Sequence, residues 1–222
     1  RERLAKQDYS SEIAHFPLGA SLGQCCGGSV SVLLEAHPGC EQELVIFGAG
    51  HVAKALVTIL GDLPWRITWV DERAEQYPAS MPANVRPHLT DDPVGDAPAL
   101  CSGKQVLILT HNHKLDFDLC RTLLTSGDCA GIGLIGSDTK AERFRKRLEH
   151  RGFETGAIDS IRCPVGRSDI PGKRPMEVAV SISAELLSLA GENTRAVPIR
   201  RGLDWKELKG LIKNPETGDM LE

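Results

Sequence analysis

Residues 44–47, Leu-Val-Ile-Phe, form an unbroken apolar run, the pattern of a strand buried on both faces. After a glycine-containing turn, apolar residues recur at helical spacing through Leu60, with Gly61 as the stop. Residues 66–70 predict a second strand ending at Asp71, and 84–86 a short third. A fourth strand is predicted over 105–110, then a helix over 116–125 closed by Gly127. Residues 131–135 predict a fifth strand. Ser137 or Asp138 caps a charged helix that runs to about Arg151, with Gly152 after it. Pro175 suits a first helical position, and an apolar helical face follows over 176–189.

Strands and helices alternating at this rhythm predict an α/β fold: a doubly wound, Rossmann-like parallel sheet with helices on both faces. Three zones follow. Residues 1–41 read as a small N-terminal subdomain with strand-like runs at 20–24 and 29–34. Residues 42–190 are the Rossmann-like domain, and 191–222 are a polar tail containing Arg200, Arg201 and Trp205. The tail is read as a loosely packed extension or a partner-docking arm.

The chain has 222 residues and a net charge of −4, which argues against a dedicated nucleic-acid binder. Hydrophobic residues make up 41% and charged residues 25%, ordinary globular usage that excludes a disordered or fibrous chain. No apolar run reaches the roughly 20 residues needed to span a membrane. The opening segment has neither Met nor a signal-peptide apolar region, so a fragment or trimmed chain is expected. Seven cysteines at irregular spacing predict free thiols and a cytoplasmic protein rather than a disulfide framework. Five of them read as small hydrophobes; the adjacent pair Cys25-Cys26 is the exception.

Four segments carry candidate chemistry. Gly48-x-Gly50-x-x-Ala53 lies between strand and helix, with Asp71 closing the next strand about 20 residues on. Gly48 makes the tight turn, Gly50 lets a ligand approach the backbone, and the helix start at His51 offers N–H groups to phosphate. Asp71 is either a ribose-binding acid or a strand-end helix partner. Thr110-His111-Asn112-His113-Lys114-Leu115-Asp116 follows the fourth strand, whose end lies beside the first at the switch point where ligands bind. If that segment is extended, His111 and His113 share a face, where they and Asp116 can ligate metal, move protons or contact an anion; otherwise it is a polar loop. Cys25-Cys26-Gly27-Gly28 is either a pair of soft ligands exposed by glycines or two buried small residues at a strand entry. Lys173 and Arg174, before Pro175, are either a phosphate or carboxylate contact or a solvated basic turn. Lys140, Arg143, Arg145, Lys146 and Arg147, interleaved with Glu142 and Glu149, read as a solvated helix face.

These segments, with Ile132-Gly133-Leu134-Ile135-Gly136-Ser137, Cys163-Pro164-Val165-Gly166 and Gly172-Lys173-Arg174-Pro175, occur in an order that resembles the XdhC/CoxI family. Members are accessory proteins of xanthine dehydrogenase and related molybdenum hydroxylases. The resemblance covers roughly residues 17–190. It implies a chaperone rather than a turnover enzyme. Its cargo is the molybdenum cofactor (molybdopterin), shielded while a cysteine desulfurase supplies sulfur and then passed to an apo xanthine dehydrogenase or related hydroxylase. A homodimer is implied as well. Carried onto this chain, the resemblance puts Cys25 or Cys26 at the molybdenum or its sulfur, the Gly48–Gly50 turn at the phosphate, and His111, His113 and Asp116 at the pterin edge. The family's further N-terminal segment, with a Gly-Ser-Ala-Pro-like motif, precedes the point where this chain begins. Two other readings compete. One is an NAD(P)-dependent oxidoreductase using Gly48, Gly50 and Asp71, with His111 as proton donor. The other is a sulfur-handling enzyme with Cys25 or Cys26 as nucleophile.

Overall fold

The computed structural model describes residues 10–17, 29–36, 40 and 42–193. Two compact units divide the chain, one of residues 1–39 and 194–222 and one of residues 40–193. In the first unit, β1 (Ser10–Pro17) and β2 (Ser29–Ala36) form an antiparallel pair running from Ser10 opposite Ala36 to Pro17 opposite Ser29. The strand expected at 29–34 is present. The run expected at 20–24 lies outside the described residues, and the observed partner is β1, where Ile13 and Phe16 are the large apolar residues.

The second unit is built on six parallel strands. They are β3 (Gln42–Phe47), β4 (Trp65–Asp71), β5 (Val85–Leu89), β6 (Gln105–Ile108), β7 (Gly131–Leu134) and β8 (Ile161–Arg162). Their spatial order is β5-β4-β3-β6-β7-β8. The chain order therefore reverses between β3 and β6, and a crevice opens at the carboxyl ends of these two neighbours. The helices are α1 (His51–Leu60), α2 (Pro93–Cys101), α3 (His113–Ser126), α4 (Asp138–Glu149), the short α5 (Thr155–Asp159) and α6 (Pro175–Asn193).

The period-2 geometry of β3 divides the core. Leu44 and Ile46 face one layer, with Leu56 and Leu60 of α1 and Ile182 and Leu186 of α6. Val45 and Phe47 face the other, with Cys101 of α2, Phe117 and Leu123 of α3 and Phe144 of α4. Each of these side chains is buried, and each Leu, Ile, Val and Phe among them contributes roughly 1.5–3 kcal/mol through loss of apolar contact with water. Among the described residues, no helix is long and apolar enough to cross a membrane.

Several boundaries differ from expectation. Helix α2 escapes the periodicity because Gly95 and Pro98 interrupt it; Asp92 caps it, accepting from the Gly95 N–H at 2.9 Å. Strand β5 sits at Val85–Leu89 rather than 84–86, and tolerates Pro87 because it is an edge strand. Gly61 ends α1 in ordinary right-handed conformation, so its glycine serves another purpose: a Cβ there would stand 2.7 Å from Pro82. Gly127 does use its freedom, closing α3 at φ 63° with its N–H on the Leu123 carbonyl. Helix α3 begins three residues before expectation, because Asn112 caps it. The basic face of α4 is not uniformly solvated. Lys140 is buried, and the Arg147 guanidinium lies 3.7 Å from the centre of the Phe117 ring.

Candidate functional site

Two cavities open at the carboxyl end of the sheet. The smaller, about 280 Å³, is lined by Asp71, Asp92, Asn112, Lys114, Leu115 and Asp118, among others. The larger, about 470 Å³, is lined by Gly50, His51, Val52, Gln76, Ile135 and Pro175, among others. Gly48, Arg73, Thr110 and His111 belong to both walls.

The two glycines of the turn do different things. Gly48 has φ 103°, and a Cβ there would lie 2.7 Å from the Leu109 carbonyl oxygen. Its N–H donates to Val70 O at 2.8 Å, and its carbonyl accepts from Trp69 Nε1 at 3.0 Å. Gly48 is thus needed for close passage between strand ends. Gly50 has φ −76° and nothing within 4 Å of the position of a Cβ. It precedes α1 without supplying a side-chain acceptor, so the amino end of α1 faces the larger cavity uncapped. The other long helices carry their own acceptors. Asp92 caps α2, Asn112 accepts from Lys114 N and Leu115 N at 3.0 and 3.2 Å, and Ser137 accepts from Lys140 N. At α6, Glu177 accepts from Lys173 N and Arg174 N, both at 3.0 Å, and these bonds hold its carboxyl below the usual range.

Asp71 is buried and fully engaged. Its Oδ2 accepts from Ala49 N–H at 2.6 Å and from Arg73 Nη2 at 2.9 Å. Its Oδ1 accepts from Arg73 N and Arg73 Nε, each at 2.9 Å. Burial pushes its pKa up, but the bonds from Arg73 and Ala49 outweigh that and leave it below its ordinary value. Of the two alternatives for Asp71, the geometry matches the strand-end partner: it braces the glycine turn and orients Arg73 instead of offering oxygens to a ribose.

The His-x-His segment is split by the cap. His111 stands on the ridge between the cavities, whereas His113 is already the first residue of α3 and lines neither. Asp116 is not on an exposed loop but buried in α3. Its Oδ2 accepts from Lys140 Nζ at 2.6 Å and its Oδ1 from Thr110 Oγ1 at 2.5 Å. Lys140 Nζ also donates to Ile135 O at 2.7 Å. Asp116 therefore holds the loop that presents His111. Lys173 and Arg174 are exposed, and the backbone N–H groups an anion would use there are taken by Glu177. Cys25 and Cys26 lie outside the described residues. Among the described residues there is no cluster of three or more His, Cys, Asp or Glu that could hold a metal ion.

Sequence reasoning passed over Arg73 and Lys114. Arg73 follows Asp71 by two residues in Asp-Glu-Arg, and only the fold shows that its side chain turns back onto that carboxylate at the cleft. Lys114 was legible as a cation just past the fourth strand.

The comparisons agree with this architecture. YqeB of Escherichia coli K12, a curated protein described as uncharacterized, is 28% identical over 172 residues, 76% of this chain and 31% of its own length. A crystal structure described as a xanthine dehydrogenase from Bacillus halodurans superposes with a TM-score of 0.58 at 27% identity, covering 76% of this chain and 47% of that one. The chain thus spans about a third of the curated relative and about half of the solved one. The family model for the XdhC Rossmann domain matches residues 44–186, and with the strand order and the cleft at its switch point, the chain belongs to the XdhC family.

Proposed function

We propose that this protein is a xanthine dehydrogenase accessory protein that carries the molybdenum cofactor. It holds the cofactor as cargo at the carboxyl ends of β3, β4 and β6. It protects the cofactor while a cysteine desulfurase supplies sulfur, then passes it to an apo xanthine dehydrogenase or a related hydroxylase, working as a homodimer.

The observation that carries this reading is the uncapped amino end of α1 at Gly50, open to a cavity of about 470 Å³. Molybdopterin ends in a phosphate, and free N–H groups at a helix start bind phosphate. Arg73 on the same wall is paired with Asp71 through Nε and Nη2, and its Nη1 is left to donate to an anion. His111 offers a hydrogen-bonding ring at the ridge, where a pterin edge would lie. The donor set fits the phosphate and the pterin; the proposed sulfur or molybdenum contacts, Cys25 and Cys26, are outside the described residues. The engaged state of Asp71 disfavours the NAD(P) alternative, in which that carboxylate would accept from a ribose.

The test is anaerobic loading with molybdenum cofactor, desalting, and quantification of molybdenum and oxidised pterin per chain, with NAD(P) run in parallel. Near-stoichiometric pterin retention supports the proposal, and its loss in a Cys25→Ala/Cys26→Ala variant places the thiols in the site. Retention of NAD(P) without pterin supports the oxidoreductase instead.

A further inference from the structure

Two thiols meet at the end of the sheet opposite the cleft. Cys101 closes α2 and is completely buried; Cys129 lies half-buried in the connection between α3 and β7. All of β6 and α3 separates them in sequence, yet their two connections run side by side. Gly103 N–H donates to Asp128 O at 2.7 Å, Ala130 N–H donates to Lys104 O at 2.9 Å, and the Ser102 hydroxyl donates to the Asp128 carboxylate. Gly103 makes the turn at φ 68° that allows this pairing. These bonded connections bring the two side chains into the same apolar layer, Cys101 within it and Cys129 packed against it.

The two are unequal in exposure, Cys101 being completely buried and Cys129 half-buried. Proximity and burial push the Cys101 thiol up, and the same proximity pulls the Cys129 thiol down. Cys129 is therefore the accessible and better nucleophile of the two. Burial pushes Cys120 and Cys163 up, which makes them poorer nucleophiles. An accessible low thiol beside a second thiol is the arrangement of an attacking and a resolving cysteine.

We propose that Cys101 and Cys129 form an oxidisable dithiol that closes to a disulfide when a hydroperoxide reaches Cys129. The Cys129 thiolate attacks the peroxide; an S–O bond forms, the O–O bond breaks, and two electrons pass from sulfur to the peroxide. The Cys101 sulfur then attacks the Cys129 sulfenic acid. The S–S bond forms as the S–O bond breaks, and the departing hydroxide takes the Cys101 proton and leaves as water. With hydrogen peroxide, two thiols are oxidised and one peroxide is reduced to two waters.

The crosslink has a structural consequence. Helices α2 and α3 supply Pro93, Val94, Asn112 and Lys114 to the smaller cavity from their amino ends. A Cys101–Cys129 bond joins the same helix pair at its far end, bracing that wall without touching a ligand-facing group. It also restricts the unfolded chain.

The test uses the full chain, graded hydrogen peroxide, blocking of remaining thiols with N-ethylmaleimide under denaturing conditions, and peptide mapping by mass. A linked Cys101–Cys129 peptide pair, lighter by two hydrogens and reversed by dithiothreitol, is expected at lower peroxide than any change at Cys120 or Cys163. The oxidised chain should melt roughly 5–10 °C above the reduced one. Cys129→Ser should abolish both effects, and Cys101→Ala should leave Cys129 as a sulfenic or further oxidised acid. Recovery of both residues as blocked thiols at doses that oxidise the others overturns the proposal, as does linkage of Cys129 to a different cysteine. The wild-type map decides this even if Cys101→Ala does not fold.

Discussion

Lys140 and Asp116 form a buried ion pair at 2.6 Å, and through it α4 holds α3 and the loop that carries His111. Each group is further satisfied, Lys140 by the Ile135 carbonyl and Asp116 by the Thr110 hydroxyl. Removing one partner leaves the other charge buried alone, which costs about 3–5 kcal/mol. Lys140→Met should therefore lower the urea-unfolding free energy by about that amount. Adding Asp116→Asn, which removes the stranded charge, should restore much of it. A single-variant loss below about 1 kcal/mol would show that the pair is not holding the fold.

Asp71 gives the acid side of stability a definite sign. Its folded pKa lies below its ordinary value of 3.8, so the folded state holds its proton less tightly than the unfolded chain does. The contribution is complete above the unfolded value and is lost as pH falls through the lower folded one. Urea midpoints measured from about pH 6 to pH 2 should fall in the acid half of that range. Asp71→Asn should fall less steeply there and should already be less stable at neutral pH. Parallel curves for the two proteins would contradict the assignment.

The glycine turn separates folding from binding. Gly48→Ala forces a side chain into φ 103° and against the Leu109 carbonyl, so a stability loss of about 1–3 kcal/mol is expected by thermal or urea unfolding. Gly50→Ala meets neither obstacle and should change stability by less than about 1 kcal/mol. Equal losses at the two positions would show that both glycines serve the turn alone.

Much of the fold was legible because burial on both faces leaves a plain mark. The run at 44–47 and the helical spacing through Leu60 reappear as β3 and α1. The placement of the fourth strand beside the first reappears as the β3–β6 pairing. Local capping chemistry shifted what periodicity could not see. Asn112 started α3 early and separated His111 from His113, and Asp92 supported α2 in spite of Gly95 and Pro98. The site was less legible, because whether a polar residue is free depends on its neighbours. Lys140 stands in a charged run that looks solvated, yet it is buried against Asp116 from another helix. Asp71 sits where a ribose-binding acid is expected, and only the fold reveals that Ala49 and Arg73 already occupy it. Lys173 and Arg174 stand at a helix start whose N–H groups Glu177 has taken.

The most direct measurement is anaerobic pterin and molybdenum retention by Gly50→Asp beside wild type. Gly50 has the extended backbone of a capping residue, so an aspartate there can accept from the free N–H groups of α1 and hold or slightly raise stability. The same carboxylate fills the proposed phosphate position and repels an anion. Cofactor held at the amino end of α1 should give an unchanged or slightly higher melting temperature together with a loss of cofactor retention of about tenfold or more. Full retention by Gly50→Asp would contradict it, because the cofactor would then be held elsewhere than at the amino end of α1.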